Sequence, residues 1–130
     1  MFDHVVFSVR DYEVSKAFYI QALAPLGVTC VSEGPLGVEL YRPNALSSLC
    51  IRIEPVANPS HLHIAFIAEN REQVAAFYHA AMAAGGKDNG PPGLRPLYNE
   101  HYYAAYVLCP DGHNIEAVCQ QPLPKKQGDA

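Results

Sequence analysis

His4 to Gly27 reads HVVFSVRDYEVSKAFYIQALAPLG, and His63 to Gly86 reads HIAFIAENREQVAAFYHAAMAAGG. Laid over one another at an offset of 59 residues (63 − 4), these two 24-residue stretches agree at nine positions. The matches are His4/His63, Phe7/Phe66, Glu13/Glu72, Ala17/Ala76, Phe18/Phe77, Tyr19/Tyr78, Ala22/Ala81, Ala24/Ala83 and Gly27/Gly86. A period this long, present twice, is the mark of a duplicated supersecondary unit rather than a solenoid.

Each copy opens on a strand and continues as a helix. HVVFSV and HIAFIA are apolar and β-rich. Asp11 and Asn70 then supply N-cap candidates, and Gln73 stands at capping-box spacing from Asn70. Val74, Phe77, Tyr78, Ala81 and Met82 recur at helical spacing as one apolar stripe. Pro25 and Gly27 end the first helix, and Gly85-Gly86 the second. Short strands follow at about 28–33, 37–42 and 48–54 in the first half, and at 102–109 and 114–119 in the second. The last two flank Pro110-Asp111-Gly112, a hairpin signal in which Pro presets one turn residue and Gly supplies positive φ. Residues 89–101 form a Pro/Gly-rich loop with one short strand in it, of the kind that carries function. The expected architecture is α+β: two tandem βαβββ modules, about 3–55 and 61–120, forming a curved mixed sheet around a cleft with the helices outside. They make one domain over 1–121, with a flexible tail over 122–130.

The whole chain sets bounds on function. Its 130 residues are 49% apolar and 17% charged, with a net charge of −4. That suits a single domain with an unstapled core. Lys125-Lys126 is the one basic pair, which argues against nucleic acid and against an anionic membrane surface. No apolar run approaches the roughly 20 residues of a spanning helix. The acidic start Met1-Phe2-Asp3-His4 does not resemble a signal peptide, so a cytoplasmic protein is expected. Cys30, Cys50, Cys109 and Cys119 lie scattered in apolar runs and read as buried free thiols.

Strand alternation places successive side chains on opposite faces. Val5, Phe7 and Val9 share an apolar face, as do Ile64, Phe66 and Ala68, and Ile115, Ala117 and Cys119. The opposite faces carry His4, His63 and Glu116. Two imidazoles and one carboxylate on one side of a sheet are a ligand set for a divalent cation (Fe, Mn, Ni or Zn) that leaves positions open for substrate. His61 is the alternative to His63, which is preferred because it aligns with His4.

At these residues the chain resembles the vicinal oxygen chelate superfamily, which includes glyoxalase I, extradiol dioxygenases, fosfomycin-modifying enzymes and bleomycin-binding proteins. Asp3-His4-Val5, Phe18-Tyr19, His63-Ile64-Ala65-Phe66 and Pro110-Asp111-Gly112-His113-Asn114-Ile115-Glu116 carry the resemblance, which covers roughly residues 3–120. It implies paired βαβββ modules around a divalent metal held by His4, His63 and Glu116, with a small substrate chelated through adjacent oxygens in lyase or dioxygenase chemistry. It also implies a homodimer. A metal-free binding protein of the bleomycin-sequestering type is the alternative. Glyoxalase I carries a fourth ligand at the end of its first module. Matching Ile51 to Ile115 puts Arg52 there, and a guanidinium cannot ligate a cation; Glu54 would need a register shift. His101 and Tyr103 are the expected acid/base groups, and Arg95, Asn99, Tyr102 and Asn114 the expected substrate contacts. Tyr102 and Tyr103 point oppositely, so one of them at most faces the cleft. His113 reads as a solvated turn histidine.

Overall fold

The computed structural model describes residues 1–124. Most of the expected tail, 125–130, lies outside the described residues. In chain order the elements are β1 (His4–Phe7), α1 (Tyr12–Leu23), β2 (Cys30–Gly34), β3 (Gly37–Tyr41), β4 (Ser48–Arg52), β5 (His63–Ile67), α2 (Arg71–Ala83), β6 (Lys87–Leu94), β7 (Tyr103–Leu108) and β8 (Asn114–Cys119). This is βαβββ twice. The strands form two four-stranded mixed sheets with orders β1-β4-β3-β2 and β5-β8-β7-β6, and the helices lie outside them. Each sheet is its own hydrogen-bonded ladder, so within one chain the strands do not run on as a single sheet.

The register is the same in both copies, and it sets the faces. β1 pairs in parallel with β4, His4 opposite Ser48 and Phe7 opposite Ile51. β5 pairs in parallel with β8, His63 opposite Asn114 and Ala65 opposite Glu116. β7 runs antiparallel to β8, with Tyr106 opposite Glu116.

The helices begin where the side chains can satisfy free backbone donors. The Asp11 carboxylate accepts from the Val14 N–H at 3.2 Å, and the Asn70 amide oxygen accepts from the Gln73 N–H at 2.8 Å. The Gln73 side chain returns to the Glu69 N–H at 2.8 Å, one residue before the usual partner. β6 is longer than expected for a stretch rich in Pro and Gly, and its pairing with β7 slips twice, between Asp88 and Gly90 and between Gly90 and Gly93.

One core unites the two modules. α1 packs on α2, and α2 lies across β6, β7 and β8. Phe18, Tyr19 and Leu23 of α1 are buried together with Phe77 of α2, Val107 and Ile115. At Gly86 an added Cβ would stand 2.4 Å from Val107 and 3.0 Å from Phe18, so a side chain there would push the modules apart. Cys109 and Cys119 are buried free thiols as expected, whereas Cys30 and Cys50 are only half-buried.

Candidate functional site

Glu116 is the centre of the second sheet's open face. Its position in β8, between β5 and β7, leaves it 1% exposed. Burying a carboxylate is costly unless its oxygens are satisfied and its charge is matched. Oε1 lies 2.8 Å from His63 Nε2, and Oε2 accepts the Tyr102 hydroxyl. Among the described residues no Lys or Arg lies within ion-pair distance of Glu116, and the one nitrogen that does belongs to the His63 imidazole. Tyr106 stands beside them, its ring centroid 6.3 Å from that of His63. Tyr98 packs on Tyr102 at 4.9 Å, and the Arg95 guanidinium lies over Tyr106 at 5.4 Å. Burial first pushes the Tyr102 and Tyr106 phenols above their ordinary range, followed for Tyr102 by its hydrogen bond to Glu116 and for Tyr106 by the Glu116 charge. Both therefore stay protonated at neutral pH, and Tyr102 acts as a donor.

The sequence-derived residues fall into three groups. His63, Glu116 and Tyr102 touch, and of the two neighbouring histidines it is His63, not the exposed His61, that meets the carboxylate. Arg95 joins them through Tyr106. Asn114 lies opposite His63 and keeps a buried amide oxygen without a partner.

His4 stands apart. It belongs to the first sheet, where its Nδ1 lies 2.6 Å from the Asp3 carboxylate. It lines an open groove of about 440 Å³ with Val6, Glu39, Cys50 and Arg52. Among the described residues His4, His63 and Glu116 do not form a cluster of ligand atoms within 4.8 Å.

The remaining candidates are placed away from the carboxylate. Asn99 donates to Gln120 at 2.9 Å and accepts from the His101 N–H at 2.9 Å, which fixes the turn before β7. His101 itself pairs with the neighbouring Glu100 at 3.2 Å. Tyr103, the expected catalytic phenol, lies on the other face of β7 from Tyr106 and does not touch Glu116. Its register opposite Cys119 turns it toward α2, where Arg71 lies over its ring at 4.9 Å. Arg52 borders the His4 groove, and Glu54 is exposed beyond the end of β4.

Three residues were not anticipated. Tyr106 follows Tyr102 and Ala104 at the two-residue period, so alternation alone would have found it. Tyr98 sits in the loop and had no periodic signal. Glu39, opposite Cys50 on β3, brings an acid to the His4 face and accepts from Ser48 at 2.7 Å.

A second cluster lies in the hairpin after β7. Cys109, Asp111 and His113 bring one possible ligand atom each within 4.8 Å of the others. Several of their polar atoms are committed, although His113 Nε2 is buried without a partner. Asp111 accepts from the Arg10 N–H at 3.0 Å and from Ser15 Oγ at 3.2 Å, and His113 Nδ1 accepts from the Leu62 N–H at 3.0 Å. His113 is 2% exposed, which overturns its reading as a solvated turn residue. Burial pushes its pKa below the ordinary value, so it sits neutral in the core. The Arg10 guanidinium, 3.8 Å from Asp111, further disfavours a cation here. The cluster fastens module one to module two.

Comparison with known proteins agrees with this fold. The family model of the Glyoxalase/Bleomycin resistance protein/Dioxygenase superfamily matches residues 1–117. A glyoxalase/bleomycin resistance protein from Albidiferax ferrireducens T118 is 32% identical, with a TM-score of 0.77 over 94% of this chain and 99% of that one. A glyoxalase-related enzyme from Fulvimarina pelagi shares the fold at 22% identity and a TM-score of 0.68, over 92% of this chain and 87% of that one. Lactoylglutathione lyase from Agrobacterium tumefaciens does so at 16% identity and 0.65, over 92% of each chain. No curated protein matches significantly. No described helix is long and apolar enough to cross a membrane.

Proposed function

Given that this chain belongs to the Glyoxalase/Bleomycin resistance protein/Dioxygenase superfamily, we propose that it is a divalent-metal-dependent enzyme acting on a small molecule with vicinal oxygens. The observation that carries this reading is the buried Glu116 carboxylate. Its oxygens meet one imidazole and one phenol, and no Lys or Arg among the described residues balances it. The donor set fits an ion. His63 Nε2 and Glu116 Oε1 stand 2.8 Å apart on one face, and an imidazole nitrogen beside a carboxylate oxygen is a donor pair that would hold a divalent ion.

The third ligand, on this reading, is His4 of a second copy. His4 and the His63–Glu116 pair occupy different sheets, and each lies on a face with exposed apolar neighbours: Val6 is 45% exposed and Ile67 71%. A two-fold dimer is self-complementary, so placing the first sheet of one chain over the second sheet of its partner covers both faces twice. The homodimer and the completed metal site are thus one proposal. Four free cysteines accord with a reducing, cytoplasmic setting.

A bound divalent ion would supply Lewis acidity to the substrate oxygens. The chain's own residues do the rest. Glu116 and His63 anchor one end of the substrate site, and Tyr102 donates a proton-bearing hydroxyl beside them. Tyr106 forms an apolar wall beside His63, and Tyr98, itself 62% exposed, packs against Tyr102. Tyr102 takes the proton-handling role here, while His101 is paired with Glu100.

The metal-free alternative has one observation in its favour: both Glu116 oxygens are already hydrogen-bonded. Metal analysis of freshly purified protein separates the two. The metal reading expects about one divalent ion per chain, removed by chelator and absent in Glu116→Gln. A metal content near zero that added Mn, Ni, Zn or Fe(II) does not raise contradicts it.

A further inference from the structure

β6 is an improbable strand. It reads Lys87-Asp88-Asn89-Gly90-Pro91-Pro92-Gly93-Leu94, and Gly and Pro both weaken a ladder. The two glycines make room for Arg95. An added Cβ at Gly90 would lie 2.9 Å from the Tyr106 ring and 3.3 Å from Arg95 Nη2; one at Gly93 would lie 3.0 Å from Arg95 Nη1. The guanidinium folds back over its own strand and rests on Tyr106. Nη2 donates to the Pro91 carbonyl at 2.6 Å and Nη1 to the Leu94 carbonyl at 3.4 Å. Two of five donors are thus used, both on neutral carbonyls. Among the described residues no carboxylate pairs with Arg95.

We infer that Arg95 is a preset anion receptor on the wall of the Glu116 site, and that the substrate carries a carboxylate in addition to its vicinal oxygens. The Tyr106 ring beneath Arg95 belongs to the residue directly across the ladder from Glu116, so the cation and the buried carboxylate share one face. A planar guanidinium held before the ligand arrives matches a carboxylate's two oxygens and loses little side-chain freedom on binding. The slips in β6 are then not a defect of the sheet. They bring the backbone carbonyls that hold Arg95 to that edge.

This inference deepens the metal-enzyme reading and rests on it for the vicinal oxygens, but its test separates the two. The probe is glycerate, which has a vicinal diol and a carboxylate, compared with neutral glyceramide. Binding is followed by NMR at the Arg95 Nε–Hε and Tyr106 ring resonances, with and without chelator. Glycerate should bind about tenfold more tightly than glyceramide. Arg95→Gln should remove that preference while leaving metal content unchanged. Gly93→Ala, where the new Cβ meets only the movable end of Arg95, should weaken glycerate with the fold retained. A charge preference that persists without metal supports the receptor even if the metal reading fails. Equal binding of the two probes, no binding of either, or a preference that survives Arg95→Gln overturns it.

Discussion

His63 and Glu116 are 53 residues apart in sequence, yet His63 Nε2 and Glu116 Oε1 stand 2.8 Å apart. The contact follows from one register: β5 and β8 run parallel with Ala65 opposite Glu116, which points His63 and Glu116 to the same face. It joins the opening of the second module to its last strand, and Tyr102 holds the second carboxylate oxygen from the other side.

Tyr102 should therefore tune the site without being a ligand. Tyr102→Phe keeps the ring against Tyr98 and removes only the hydroxyl. Loss of a hydrogen bond that orients a ligand lowers metal affinity about 10–100-fold. Competition with a chromophoric chelator measures this, and unchanged affinity would show that the hydroxyl does not orient Glu116.

His113 gives the fold a pH dependence of known sign. Its pKa is lowered in the folded state, mainly by burial, from an ordinary 6.5. Between that lowered value and 6.5 the unfolded chain binds more protons than the folded one. The stability His113 contributes is complete above about pH 6.5 and is lost as pH falls. Urea midpoints at pH 7.5 and 5.5 should diverge in the wild type and converge in His113→Asn, whose amide oxygen can still accept from Leu62. An unchanged slope in the variant would contradict the assignment.

Asp111 fastens the modules through the Arg10 N–H and Ser15 Oγ. Asp111→Ala leaves the buried Ser15 hydroxyl and that N–H without their acceptor, and hydrogen bonds to a charged group are worth about 1.5–3 kcal/mol. A loss in that range by chemical denaturation is expected. Metal content should stay at the wild-type level, since Asp111 is not among the proposed ligands.

Much of this was legible in the residues themselves. The doubled His-to-Gly stretch gave both modules, and two-residue alternation separated the core face of Phe7, Phe66 and Ile115 from the face of His4, His63 and Glu116. What alternation leaves open is which tyrosine of an adjacent pair faces inward, because a shift of one residue exchanges the faces. In the structure Tyr102 meets Glu116 and Tyr103 lies beneath Arg71 of α2. His113 looked solvated because Pro-Asp-Gly marks a turn, yet Phe7 packs edge-on against its ring from the other module and Leu62 caps it. Those are long-range contacts with no local signature. β6 was obscured by its prolines and glycines. The placement of His4 depends on how whole sheets face one another, which side-chain patterning within a strand does not encode.

The shared site is tested most directly by mixing two inactive chains. His4→Ala and Glu116→Ala should each bind little metal alone. After the two are unfolded, mixed in equal amounts and refolded, half of the dimers combine both chains, and each such dimer has one intact site of two. Metal content should then rise to about a quarter of the wild-type level. A mixture that binds no more metal than its separate components would contradict a site built from His4 of one chain and His63 and Glu116 of the other.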